Sequence, residues 1–426
     1  MLSVLVWALT SVWQTPQSSD TLRLTDLYQI AAEHNARIAG ANALANAAHA
    51  RIASARRPPD PQLQFGVMNY SIPEWRPMDA IGMVQVQAMQ MLPLAGKLGI
   101  AGKVAELDAS AEVERARAVE WDVRAKVASA FYDLYATDQS LTTDRQTLRL
   151  LDDALRIAES MYRVGEGRQS DVLRAQVEIA RMTQDTVRMA SMHTALAARL
   201  AAELGRYAIT GVPRLPMFAD SIPSTSTLTT AAFHDRPMLR AAARGLDAAS
   251  SRTMLAAREL WPDLTVGVQY GQRGGMQGTE HMASVMVGAT VPVFARSRQL
   301  QMREEARAMQ QMAHAELDAA RAETNAAVIE ARADLVRART LSSSYRATLI
   351  PQAEASVESA LASYRVGRVD FMTFLDARMA VTRFRKELAA LEAEEGKAWG
   401  ELEMLTGREL LGRVTTQSVA VDGRAP

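Results

Sequence analysis

The sequence predicts a mostly α-helical protein with a small β part, built as two copies of one helix–strand–strand–helical hairpin unit. The tetrapeptide Tyr-Arg-Val-Gly occurs at residues 162–165 and again at 364–367, an offset of 202. The segments PDPQLQFGV and WPDLTVGV resemble each other at an offset of 201, and MLPLAGK and TVPVFAR at an offset of 199. Three collinear matches at nearly one offset indicate a tandem duplication.

Composition excludes several functional classes. The 48 basic and 48 acidic residues balance, so no strongly basic surface predicts nucleic acid as a partner. The chain has no Cys, which excludes disulfides, thiolate-bound metals, a Cys nucleophile and a lipidated N-terminal Cys. The six His are scattered without metal-ligand spacing, and no catalytic arrangement stands out. We therefore predict no enzyme, no cofactor and no metal site.

The two ends of the chain are predicted to lie outside the repeats. An apolar run at residues 2–13, followed by a polar stretch, resembles a secretory signal, so residues 1–20 are predicted to be a leader segment. A buried N-terminal segment is the alternative. Residues 411–426 are predicted to form a C-terminal tail.

The first repeat is predicted to span residues 21–210. It opens with a helix over 24–55, which ends before the prolines of RRPPDP because proline cannot continue a helix. The remaining elements are strands at 62–71 and 81–92 and a helical hairpin over 97–205 with its tip near 162–170. Residues 97–162 contain no proline, and at ~1.5 Å per residue such a helix is about 100 Å long, wider than a compact domain.

The second repeat is predicted to span residues 236–410, after a linker or equatorial segment at 211–235. Its elements are a helix over 238–259, strands at 263–272 and 282–293, and a helical hairpin over 295–406 with its tip near 364–372. The Gly-rich segment GQRGGMQGTE between its strands is predicted to be a hairpin loop. Apolar residues recur with heptad spacing from Phe374 to Leu405, which is typical of a coiled coil.

The four predicted strands alternate small, polar and apolar residues with a period of two, and each has about the 9 to 11 residues of a membrane-spanning strand. Lipid tolerates no open sheet edge, and four strands are too few to close a barrel. Copies of the chain must therefore pool strands: two chains give eight, and three give twelve, which is wide enough for a channel. A small soluble β layer is the alternative.

The motifs YRVGEGRQSDVLRAQ and YRVGRVDFMTFLDAR, together with the duplicated layout, resemble the TolC family of outer-membrane efflux factors over about residues 21–410. The resemblance implies a homotrimer with a 12-stranded membrane β-barrel in the outer membrane, continued by an α-helical periplasmic tunnel. It also implies a passive exit duct opened by a periplasmic adaptor and an inner-membrane pump of the RND or ABC type, exporting small molecules or metal ions.

The same resemblance assigns roles to residues at the two hairpin tips. The tips would dock the adaptor through two matching sets: Tyr162, Arg163, Val164 and Gly165, and Tyr364, Arg365, Val366 and Gly367. The tunnel entrance would be constricted and gated by five residues: Asp171, Tyr364, Arg368, Thr373 and Asp376. Thr373 stands where some members carry an acidic residue, so this chain departs from a double acidic ring there.

Two other functions share these features. The outer-membrane component of a type I protein-secretion system has the same fold, and a soluble coiled-coil scaffold without a pore would share the helices. Six methionines fall in or beside the predicted strands: Met68, Met83, Met89, Met91, Met282 and Met286. Thioethers suit Cu(I), but methionine also fills irregular apolar surface, which is the reading we favour from sequence.

Overall fold

The structure is a computed structural model that describes residues 21–78, 82–206, 208–275 and 278–410. The predicted leader at 1–20 and the predicted tail at 411–426 lie outside the described residues. The first repeat contains β1 (Thr21–Leu22), α1 (Leu24–His34), α2 (Ala36–Ala55), β2 (Gln62–Met68), β3 (Met83–Leu92), α3 (Lys97–Arg163) and α4 (Gln169–Glu203). The remainder contains β4 (Val212–Pro213), α5 (Thr225–Asp235), α6 (Pro237–Arg258), β5 (Asp263–Gly275), β6 (Gly278–Thr290), α7 (Gln299–Ser344), α8 (Ile350–Arg365) and α9 (Phe371–Thr406).

Each repeat opens with two helices where the sequence predicted one. Asn35 interrupts the predicted helix over 24–55, because its side-chain oxygen accepts a hydrogen bond from the Arg37 amide at 2.8 Å and so caps α2. Its side-chain amide donates to the carbonyl of Glu203 at 2.7 Å. In the second repeat, α5 occupies part of the segment at 211–235 that was predicted to be a linker, and Pro237 begins α6.

The four long strands form one antiparallel sheet in the order β2-β3-β5-β6. β5 and β6 extend through most of the segment predicted to be a loop, and pair as far as Gly275 and Gly278. β6 ends at Thr290, before the predicted end of the strand, and the following Pro292 lacks the amide that a ladder needs. β2 ends at Met68, before Asn69, whose φ is +54°.

The two hairpins differ in regularity. α3 runs for 67 residues and α4 returns along it. The outgoing helix of the second repeat changes to a π-helical turn at Tyr345–Leu349 before continuing as α8. Pro351 follows this turn and has no amide proton for the carbonyl of Ala347, so the helix adjusts its hydrogen bonding there.

The repeats join through their long helices, because α9 of the second repeat packs against α3 of the first. Near the tips, a shared apolar cluster includes Leu151 and Ala158 of α3 and Phe374 and Val381 of α9. Two further clusters stabilise the other end of the hairpins, one around Phe131 and the other around Trp399, which is buried.

Candidate functional site

Both hairpin tips turn on a glycine with a left-handed backbone. Gly165 has φ +81° and Gly367 has φ +69°, a region that side chains with a Cβ rarely adopt. At the first tip the amides of Glu166 and Gly167 donate to the carbonyl of Met161 at 3.0 and 2.9 Å. At the second, the amide of Arg368 donates to the carbonyl of Ser363 at 2.9 Å. These bonds satisfy carbonyls at the end of each outgoing helix.

The predicted docking residues divide into exposed and buried groups. Seven of the eight are exposed at the two tips: Tyr162, Arg163, Val164, Gly165, Arg365, Val366 and Gly367. Tyr364 differs from its counterpart Tyr162, since Tyr364 is 5 % exposed and Tyr162 is 47 % exposed. The structure therefore leaves Tyr364 with little surface for a partner.

The ring of Tyr364 belongs to an aromatic cluster that the first tip lacks. It meets Phe371 edge-on at 5.4 Å between centroids and stacks on Phe374 at 6.4 Å. The positions equivalent to these phenylalanines in the first repeat are Gln169 and Val172. Burial and the nearby carboxylate of Asp171 raise the pKa of the Tyr364 phenol. Tyr364 therefore stays neutral and stabilises the tip from inside.

The predicted gate residues are brought to one end of the hairpins, with different contacts. The Thr373 hydroxyl donates to the Asp370 carboxylate at 2.6 Å, and the Thr373 amide donates to it at 3.0 Å. These bonds hold the pKa of Asp370 below its usual value, and Asp370 caps α9. Asp376 and Arg368 are exposed, and Asp171 is half-buried. Thr373 thus binds the carboxylate that caps α9.

Sequence reasoning missed a polar contact between α3 and α9 above the tips. Lys386 donates to both carboxylate oxygens of Asp144, at 2.9 and 3.1 Å, and Asp144 is fully buried. The hydroxyls of Thr147 and Thr382 lie 2.9 Å apart next to this pair. The partners are distant in sequence and each sits in a helix with many charged residues, so no local pattern marks them.

A second buried cation joins the helices to the sheet. Lys97 begins α3 and is 5 % exposed. Its ammonium donates to the carbonyl of Trp261 at 3.0 Å, to the Asp263 carboxylate at 2.8 Å and to the Glu259 carboxylate at 3.4 Å. The start of the long hairpin is thereby tied to the start of β5.

The sheet has one apolar side and one polar side. Because antiparallel partners point to the same side, the register assigns each residue. One side carries mostly apolar residues, including Leu63, Phe65, Val67, Val84, Val86, Val266, Val268, Tyr270, Val285 and Val287. The other side carries mostly polar and small residues, including Gln64, Gln85, Gln87, Thr265, Gly267, Gln269, Gly271, Ser284 and Gly288.

All six methionines singled out from sequence lie on the polar side. They are Met68, Met83, Met89, Met91, Met282 and Met286. A Cβ added at Gly267 would lie 3.3 Å from Met89 and 3.6 Å from Met286, so both side chains lean over this glycine. Met83 covers Gly271 in the same way. Gly267 and Gly271 therefore leave gaps that neighbouring methionines occupy.

Among the described residues, no group of three or more His, Asp or Glu side chains is placed to hold a metal ion. Within the same part of the chain, no helix combines the length and the apolar character needed to cross a membrane.

Comparison with known proteins decides the family. The sequence profile of the outer membrane efflux protein family matches residues 27–206 and again 228–408, which is most of the chain. The chain belongs to this family. The second match begins inside α5. No curated protein sequence matches the chain.

Solved structures of membrane proteins share the fold of this efflux family member. A membrane protein from Pseudomonas aeruginosa is 19 % identical with a TM-score of 0.79, covering 94 % of this chain and 92 % of its own. The MtrE outer membrane channel of Neisseria gonorrhoeae is 18 % identical with a TM-score of 0.77, covering 91 % and 89 %. The outer membrane protein VceC of Vibrio cholerae is 17 % identical with a TM-score of 0.74, covering 90 % and 96 %.

These comparisons confirm the resemblance and the fold class predicted from sequence. The chain is a mostly helical member of the outer membrane efflux protein family, with a duplicated repeat and a TolC-like architecture. It is a protein of the outer membrane with a periplasmic helical extension.

Proposed function

We propose that three copies of this chain form a passive outer-membrane channel, the exit duct of a tripartite efflux pump. The observation that carries the proposal is the two-sided sheet, whose apolar side suits lipid and whose polar side suits a water-filled lumen. Within a single chain, the outer edges of β2 and β6 have no partner strand in the sheet as described. In lipid those edges require strands from neighbouring copies.

The duplication supplies a template for that pairing. Inside the chain, β3 of the first repeat pairs with β5 of the second, with Ala88 opposite Val268. Applying the repeat offsets places β6 against β2 of the next copy, with Val287 opposite Val67. The same offsets place the apolar residues of β6 and of the next copy's β2 on one side of the sheet. Three copies of four strands would close twelve strands without an open edge.

The long helices support the same assembly. Leu173 and Val187 on α4 are 53 % and 65 % exposed. Their equivalents on α9, Leu375 and Ala389, are 2 % and 5 % exposed because α9 packs against its own hairpin partner and against α3. A neighbouring copy would cover the corresponding flank of α4 with its α7 and α8 and would complete the helical wall.

Disulfide cross-linking tests the proposed register. The chain has no Cys, so any disulfide must form between the introduced residues. We expect the variant carrying Val67→Cys and Val287→Cys to form disulfide-linked dimers and trimers after mild oxidation, seen on a denaturing gel without reductant. Paired residues in neighbouring antiparallel strands have Cα atoms about 4.5–5.5 Å apart, within the range of a disulfide.

The matched control pairs Val287→Cys with Leu63→Cys. Leu63 lies on the same apolar side, four residues along the strand and about 13 Å away, too far to cross-link. Cross-linking of the control but not of the first pair would contradict the register. A protein that stays monomeric in detergent and in native membranes would contradict the channel.

In this proposal the exposed tips dock a periplasmic adaptor, and an inner-membrane pump of the RND or ABC type supplies the energy. Small molecules or metal ions would leave through the tunnel. Asp376 and Asp171 would face the entrance, where three copies of Asp376 repel each other and favour cations. Arg368 would lie beside them at the mouth. The mouth would open when the adaptor binds the tips.

Replacing Gly165 and Gly367 with Val is expected to abolish efflux while trimers remain in the membrane. Both glycines have a left-handed backbone that costs other residues about 1–2 kcal/mol, and a β-branched side chain is excluded most strongly. Efflux is measured as export of a pump substrate from cells that carry the adaptor and pump.

Asn at the same two positions is the control, because Asn tolerates this backbone region and should retain efflux. Normal efflux by the Val variant would contradict the proposed role of the tips in docking the adaptor. Loss of the trimer would show that the turns are needed for assembly instead.

A further inference from the structure

We propose that Met89 and Met286 of one copy and Met68 of the next form a thioether site for a soft monovalent cation of the Cu(I) class. This inference rests on the proposed trimer and its strand register. The site would occur three times in the trimer, on the polar side of the sheet. Each site would be incomplete without the neighbouring copy.

The distribution of methionine over the sheet motivates the site. Methionine is an apolar residue, and if it only filled apolar surface it would be expected on the apolar side. The register instead places all six strand methionines among Gln, Ser, Thr and Gly on the polar side. The apolar side is built mostly from Val, Leu, Ala, Phe and Tyr.

Two of the three methionines already lie over the same glycine within one chain. Met89, Gly267 and Met286 occupy one row across β3, β5 and β6. Gly267 has no side chain, so both methionine side chains extend over its Cα, with Cγ of Met89 3.3 Å and Cε of Met286 3.6 Å from the position a Cβ would take. The Gln87 amide lies 4.0 Å from the Met286 sulfur, which orients that side chain.

The third ligand follows from the repeat. Gln87 pairs with Gln269 where β3 meets β5. The equivalent pair where β6 meets β2 of the next copy is Met286 with Met68. The row would then continue from Met89 over Gly267 to Met286 and on to Met68. Three neutral sulfur atoms in one row suit a soft monovalent ion.

The two stronger candidate ligands nearby, His281 and Glu280, are engaged elsewhere. The chain has no Cys, so thioethers are its softest donors. His281 points to the apolar side, where its imidazole contacts the Tyr270 hydroxyl at 2.6 Å. Glu280 is on the polar side, but it forms an ion pair with Arg273 at 2.7 Å. With these groups engaged or turned away, the row offers little to hard cations such as Mg²⁺ or Ca²⁺.

Ag(I), a redox-stable ion with the same preference for sulfur, is the probe. We expect the purified trimer in detergent to bind one Ag(I) per chain, measured by equilibrium dialysis and elemental analysis. Met286→Leu and, separately, Met68→Leu should each weaken this binding at least tenfold, because Leu keeps the volume and removes the sulfur. Size-exclusion chromatography confirms that each variant remains trimeric.

Met302→Leu is the matched control, because Met302 is a similarly exposed methionine on α7, away from the sheet. Unchanged Ag(I) binding in both Met286→Leu and Met68→Leu would overturn the site. Loss in Met286→Leu with full binding in Met68→Leu would overturn the contribution of the neighbouring copy. A cross-linked trimer that binds no Ag(I) would reject the site and keep the channel, whereas an unassembled chain would reject the channel itself.

Discussion

The Lys386→Met variant is expected to lower the free energy of unfolding by about 3 kcal/mol. Lys386 donates two hydrogen bonds to Asp144, whose side chain is fully buried between α3 and α9. Removing the ammonium leaves a buried carboxylate without its cation, and the adjacent Thr147–Thr382 contact does not compensate for the charge. Thermal unfolding followed by circular dichroism on the purified protein measures the loss.

Two controls separate charge from packing. The double variant Asp144→Leu with Lys386→Met should recover most of the lost stability, because it removes both charges from the buried site. Arg181→Met breaks the surface pair with Glu178, where the arginine side chain is 69 % exposed, and should change stability by less than about 1 kcal/mol. Equal losses in Lys386→Met and Arg181→Met would contradict the buried bond.

The Asp144–Lys386 pair also distinguishes the contact between α3 and α9 within the chain from the helix contact proposed between copies. At the equivalent positions of the other repeat, Gln184 replaces Lys386 and Arg346 replaces Asp144. Arg346 is engaged by Glu392 of its own hairpin. A buried ion pair therefore stabilises the contact between α3 and α9 within the chain, and the equivalent contact between copies would lack it.

Phe371→Ala is expected to destabilise the second tip by about 3–5 kcal/mol and to abolish efflux. The Phe371 side chain is fully buried and meets both Tyr364 and Phe374. Its loss opens a cavity at the first turn of α9, beside the turn at Gly367 that is proposed to dock the adaptor. Hydrogen exchange of residues 364–376 in the purified protein should accelerate.

The equivalent change at the first tip, Gln169→Ala, is the control. Gln169 is exposed at the start of α4 and should have little effect on stability, exchange or efflux. If Gln169→Ala loses as much efflux as Phe371→Ala, the aromatic cluster has no special role. If Phe371→Ala keeps full efflux with faster exchange, the second tip does not need a rigid fold for docking.

The limits of sequence reasoning appear at particular residues. The break at Asn35 was missed because the residues on both sides favour helix, and only the contact with Glu203 shows why the chain turns there. The helix Thr225–Asp235, which Ser224 caps, lies in the segment predicted to be a linker. Tyr162 and Tyr364 stand in identical tetrapeptides, yet one is exposed and the other buried.

The sequence by itself determined the duplication, the succession of helices and strands, the glycines at the tips and the family. Such features depend on local chemistry and on spacing along the chain, which a single sequence records directly. Only the tertiary structure decided which residues of different strands share a row, which tyrosine is buried, and that Asp144 meets Lys386. Those relations depend on register and on helix rotation, and a shift of one residue would turn each side chain to another face.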